Sequence, residues 1–282
     1  MTKKILTSLI ILGLASPAVA ATTIVSFGQT ADNSVVQGTQ GSPETQIVRG
    51  TTNSAEINSY GQQVVDSGGV ANGSVISGTQ SVQGVLDGGT ANDTQILATG
   101  VQQVDGKLGG NTTIGTGGRQ ILANRFSFLN GSSKITIDGG TQYVGYLNVG
   151  QNWNETQNLS ADYASRLVFN SGAQYVYNGS TINGNATNHL TIGDGTGEAK
   201  QYIYENSSVT NAVVKNNGTQ NIVQGTATGT IVETGGVQVV SSYGTASGTV
   251  IDGGEQGVFG TLSGNITLNS GRQFLLSAAL DA

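Results

Sequence analysis

Gly61-Gln62-Gln63-Val64-Val65, Gly78-Thr79-Gln80-Ser81-Val82 and Gly100-Val101-Gln102-Gln103-Val104 are copies of one pattern: Gly, any residue, Gln, any residue, an apolar residue. The pattern returns around Gln120, Gln142, Gln174, Gln220, Gln238, Gln256 and Gln273, and without its Gly around Gln201. From Gln63 onward the steps between glutamines are 17 to 22 residues, apart from steps of 32 and 27 that end at Gln174 and Gln201. A second element alternates with the first. Ala71-Asn72-Gly73-Ser74-Val75-Ile76, Ala91-Asn92-Asp93-Thr94-Gln95-Ile96, Ala227-Thr228-Gly229-Thr230-Ile231-Val232 and Ala246-Ser247-Gly248-Thr249-Val250-Ile251 share the form Ala-x-x-Ser/Thr-x-Ile/Val.

Each unit therefore reads as short strand, Gly turn, short strand, Gly turn. Paired glycines such as Gly68-Gly69 and Gly235-Gly236 suit corners that need positive φ, and the β-branched residues between them favour strands. A unit of ~18 residues is too small to bury its own apolar face, so it must stack on copies of itself about 4.8 Å apart. The spacing predicts an all-β parallel β-helix, a solenoid in which like residues meet like along the axis. The Ile/Val positions form the interior, and the recurrent Gln forms a ladder of side-chain amides, since each amide both donates and accepts. About thirteen rungs from Thr22 to the end make a rod on the order of 60 Å long.

Composition bounds the function. The chain has 282 residues with 44 Gly, 2 Pro and no Cys, and 10% of residues are charged, against about 25% in ordinary soluble domains. Lys3 and Lys4, the apolar run Ile5 to Leu14 and Ala18-Val19-Ala20 read as a secretory signal over residues 1–20, which leaves a single domain over 21–282. Removing Lys3 and Lys4 leaves 9 basic against 17 acidic residues, and no basic cluster is present. That excludes nucleic acid and anionic lipid as expected partners. An exported chain without cysteine takes its stability from stacking and not from disulfides.

The Gly-Gly-x-Gln-x-Val and Gly-Gly-x-Ala-x-x-Thr-x-Ile repeats resemble the passenger repeats of AIDA-type autotransporter adhesins of Gram-negative bacteria. The match runs from about Gln37 to Leu122 and from Val209 to Leu275. The resemblance implies a right-handed β-helix displayed at the cell surface, acting in self-association, biofilm formation or adhesion to a host or surface glycan or protein. It also implies O-linked heptose on repeat hydroxyls, which carried over position by position names Ser74, Thr94, Thr230 and Thr249 as glycan acceptors. Capping of turns by the same hydroxyls is the plainer alternative. Family members end in a translocator barrel, whereas no run of ten-residue alternating strands follows Leu275 here. The expectation is an outer-membrane exporter supplied separately, or a periplasmic location without one, or a truncated passenger.

Residues 123–205 loosen the period and carry most of the aromatics. Tyr143, Tyr175 and Tyr202 each follow a repeat Gln, so they are expected to stack in register. Trp153, in the polar stretch 150–158, and Tyr163 are candidate contact residues.

Catalytic chemistry finds little support. His189 is the only histidine and there is no thiol, so neither a Ser-His-Asp triad nor a His- or Cys-based metal site is expected. No catalytic residue, cofactor or metal is assigned. Asp194 and Glu198 offer hard oxygens but lack the spacing of a calcium loop. A β-helix polysaccharide lyase or hydrolase is the alternative function, and it needs a carboxylate cluster that this sequence does not display.

Overall fold

The computed structural model describes residues 21–123, 129, 131–145, 156–193 and 195–276. One turn of the fold is made of three short strands, Gly61–Val65, Val70–Asn72 and Val75–Ile76, with a corner after each. The next turn repeats them as Val82–Val85, Thr90–Asn92 and Gln95–Ile96. Every pairing between these strands is parallel and joins equivalent positions: Gln63 to Gln83, Ala71 to Ala91, Ile76 to Ile96. The chain is a parallel β-solenoid of the kind the period predicts.

Three columns of strands run along the axis. The first carries the glutamines and comprises thirteen strands, from Thr22–Val25 to the C-terminal half of Thr267–Leu275. The second carries the alanines. It forms two separate sheets, of five strands ending at Lys107–Gly109 and of six beginning at Asn158–Leu159. The third carries Ile57, Ile76, Ile96, Ile114, Ile137, Phe169 and Ile192, which stack one above another and are buried. Alternation within a strand of period two sends one set of side chains inward and the other outward. Inward positions of the three columns meet in one continuous core, mostly of Val, Ile, Leu and Ala.

The two members of a glycine pair meet different needs. Gly68 has φ +79°, the left-handed region the sequence reading assigned to both. Gly69 has ordinary φ, but a Cβ there would sit 2.1 Å from the Val48 carbonyl oxygen of the preceding rung. Gly235 and Gly236 repeat the division, with φ +77° at the first and a Cβ 2.3 Å from the Val214 oxygen at the second. The first glycine turns the corner, and the second lets one rung settle on the rung before it. At the corner after the Ala strand, Ser54, Asp93 and Asn211 take positive φ where Gly73, Gly229 and Gly248 do elsewhere. Short polar side chains tolerate that region better than others.

One repeat assignment is corrected. Gln80 is an exposed corner residue with φ +55°, and Gln83 occupies the ladder position in its rung. The ladder steps there are 20 and 19 residues, where the motif count gave 17 and 22. Ser81 replaces the expected Gly in front of the strand. Ser81-Val82-Gln83-Gly84-Val85 is therefore the true copy, and the overlapping Gly78-Thr79-Gln80-Ser81-Val82 merely matches the pattern. Gln46 heads the ladder with Glu44 in the Gly position.

Through the loosened middle the glutamine column continues unbroken, as Gln142, Gln174 and Gln201 pair directly. The 32-residue step from Gln142 to Gln174 adds length between two strands of this column. It includes the one helix among the described residues, Ala161–Arg166, capped by Ser160, whose hydroxyl accepts from the Tyr163 amide.

Candidate functional site

The interior ladder sets the frame on which every outward residue is displayed. Twelve glutamines, from Gln46 to Gln273, are joined by eleven side-chain hydrogen bonds of 2.6 to 3.0 Å. In each, Nε2 donates to Oε1 of the preceding rung, so all the amides point one way. At the N-terminal end Gln46 donates to the Ser34 hydroxyl at 3.0 Å. Gln63 to Gln256 are fully buried, and a buried amide left without partners costs more than the bond itself contributes.

The four proposed glycan acceptors lie inside the rod. Ser74 donates to Gln63 at 3.3 Å, Thr230 to Gln220 at 3.1 Å and Thr249 to Gln238 at 3.2 Å, and all three are 0% exposed. Thr94 is equally buried, and its hydroxyl has no hydrogen-bond partner among the described residues. A sugar on any of them would need space that the ladder fills, so the acceptor assignment does not fit the folded rod. The pattern Ala-x-x-Ser/Thr places the hydroxyl next to the corner after an inward Ala. Three steps of that path return the side chain to the interior.

Tyr163 is likewise interior, 5% exposed on the short helix. Its hydroxyl lies beside Gln142 without forming a hydrogen bond of good geometry, and burial pushes its pKa well above the ordinary phenol value. It is a core residue and not a contact residue. Trp153 lies outside the described residues, as do residues 1–20 with the expected secretory signal. Asp194 is outside them too, and Glu198 is paired with Lys200 at 2.5 Å, which holds its carboxyl below the usual range. Among the described residues no three of His, Cys, Asp or Glu converge as metal ligands.

The outward positions form ordered columns of three kinds. On the second face Asp32, Asn53, Asn72 and Asn92 make a surface ladder with bonds of 2.7, 2.9 and 2.7 Å. In the C-terminal half the same face carries Thr226 and Thr228, Thr245 and Ser247, Thr261 and Ser263 on three successive rungs. None of these six hydroxyls bonds within the chain among the described residues, and all are half-buried or exposed. On the first face Tyr143, Tyr175 and Tyr202 stack in register as expected, with ring centroids 5.3 and 5.0 Å apart. Tyr177 and Tyr204 add a second stack at 4.5 Å, which the Gln-Tyr-x-Tyr spacing at Gln174 and Gln201 already encoded.

A shallow open depression is lined by Lys215, Asn216, Glu233, Thr234 and Asp252. Its two carboxylates sit on paired positions of neighbouring rungs, with Lys215 4.0 Å from Glu233. They repeat along a corner as outward residues of a solenoid do.

A rod of stacked rungs with an amide spine inside and repeated polar columns outside has the form of a stalk. Residues 194–255 match the family model described as the adhesin of the bacterial autotransporter system, probable stalk. That stretch includes the copies around Gln201, Gln220 and Gln238, so the resemblance read from the repeats holds there. No curated protein matches the chain. Among solved structures, the crystal structure of a TibC-catalyzed hyper-glycosylated TibA fragment is similar at 22% identity with a TM-score of 0.44. That similarity covers 86% of this chain and 99% of that one.

Proposed function

We propose that the chain is an exported, non-catalytic adhesin that works through its repetitive outer faces, in self-association or in binding a surface glycan or protein. The observation that carries the reading is the column of six hydroxyls on the second face, without hydrogen-bond partners among the described residues and held in register by the amide spine. Each hydrogen bond to such a group contributes about 1 kcal/mol or less. In-register repetition presents many at once, so contacts weak singly become strong together. The likeness of residues 194–255 to an adhesin stalk supports the same reading. Export by the N-terminal segment, display outside the cell and a separate exporter belong to the proposal.

The test is a settling and surface-binding assay on cells that secrete the chain, beside cells secreting a variant with Thr226, Thr228, Thr245 and Ser247 replaced by Lys. Faster settling or surface retention that the variant loses supports the proposal. Unchanged settling together with no retention on any surface rejects it. A fall in viscosity of an acidic polysaccharide in place of adhesion moves the assignment to a β-helix depolymerase.

A further inference from the structure

The tyrosine cluster is used neither by the core nor by the hydroxyl face. Its five tyrosines are half-buried on the first face. The rings of Tyr177 and Tyr204 are 4.5 Å apart with 20° between their planes, the closest approach in the cluster. Tyr175 lies 5.9 Å from Tyr177 and 5.0 Å from Tyr202, so the two stacks touch. Backbone pairing of Gln174 with Gln201 and of Val176 with Ile203 holds these rings in place. The chain has no cysteine, so no thiol competes with the phenols for a one-electron oxidant.

We propose that Tyr177 and Tyr204 are an oxidative cross-linking site, which a haem peroxidase supplied with hydrogen peroxide converts to a biphenol bridge between neighbouring rungs. Each phenol gives one electron to the oxidant and releases its hydroxyl proton. The two phenoxyl radicals couple through the carbon ortho to each oxygen, forming one C–C bond. The hydrogens on those carbons then move to the oxygens as the rings recover aromaticity. The chain loses two hydrogens, and one peroxide is reduced to two waters. An electron taken from Tyr143, Tyr175 or Tyr202 is replaced from its stacked neighbours, so oxidation anywhere in the cluster reaches the closest pair. The bridge closes the 27-residue loop between Tyr177 and Tyr204 and constrains the unfolded chain as a disulfide would.

The experiment treats the full chain with horseradish-type haem peroxidase and limiting hydrogen peroxide, then measures biphenol fluorescence, intact mass and cross-linked peptides. The proposal expects a monomer lighter by two hydrogens, with Tyr177 joined to Tyr204. Tyr177→Phe and Tyr204→Phe, which keep the stack but form no phenoxyl, each lose the cross-linked monomer, while Tyr143→Phe keeps it. Equal yield from the urea-unfolded chain overturns the proposal. So does coupling solely between molecules, or a yield undiminished in both the Tyr177 and Tyr204 variants.

Discussion

Replacing Gln102 by Leu removes two links of the amide spine at once. Gln102 donates to Gln83 at 2.8 Å and accepts from Gln120 at 2.8 Å, so the variant leaves the Gln83 oxygen and the Gln120 N–H unpaired in a dry interior. Each of the two orphaned groups costs about 1–3 kcal/mol, and the buried Leu returns about 1.5–3 kcal/mol of apolar transfer. At mid-range values the net loss is about 2 kcal/mol. The ladder makes a sharper statement about the triple variant with Gln83, Gln102 and Gln120 all changed to Leu. Only the two ends of the replaced block are orphaned, at Gln63 and Gln142, and the Gln63 oxygen keeps the Ser74 hydroxyl as donor. The triple variant is therefore no less stable than the single one. Urea unfolding followed by circular dichroism measures both, and the midpoints are compared at equal slope because a stacked rod need not unfold in one step. A triple variant that loses three times the single loss refutes the reasoning, as does a single variant with no loss.

Gly69→Ala drives a Cβ to within 2.1 Å of the Val48 oxygen, and the forced separation of rungs costs about 1–3 kcal/mol or more, read as a lower thermal midpoint. Thr249→Val breaks the bond to Gln238 and loses about 0.5–1.5 kcal/mol, whereas Thr94→Val removes an unpaired buried hydroxyl and is neutral or stabilising; urea midpoints separate the two. Ile114→Ala opens a cavity in the fully buried third column and costs about 2–5 kcal/mol by the same assay. Burial, followed by neighbouring phenols, raises the pKa of Tyr175 and Tyr177 above the ordinary value of 10.0. Their contribution to stability is complete below pH 10 and is lost as pH rises through the folded-state values. Ultraviolet titration is expected to show phenols ionising later in the folded chain than after unfolding, with stability falling on the alkaline side.

The sequence held the architecture because a short repeat has only one way to bury its apolar residues. Register was harder to read, as the rung at Gln83 shows. Ser81 does the work of a glycine there, and a chance Gly-x-Gln in the preceding corner imitates the motif. Inside and outside were hardest to separate for small polar residues. Thr228 and Thr230 are two residues apart and look alike on paper, yet a positive-φ corner at Gly229 sends the first to solvent and the second to the spine. The same limit explains Tyr163, whose interior position depends on an excursion with no repeat to compare it with. The stacking of Tyr143, Tyr175 and Tyr202 was legible because each occupies the same place after its Gln.

Disulfide trapping between engineered cysteines tests the stacked register most directly, since the natural chain supplies no background thiols. Val82 lies opposite Val101 on the first face, a pairing that places Gln83 over Gln102. The pair Val82→Cys with Val101→Cys is expected to oxidise rapidly, and the pair Thr79→Cys with Val101→Cys, which stacking Gln80 over Gln102 would bring together, not at all. Trapping of the second pair in place of the first would overturn the register.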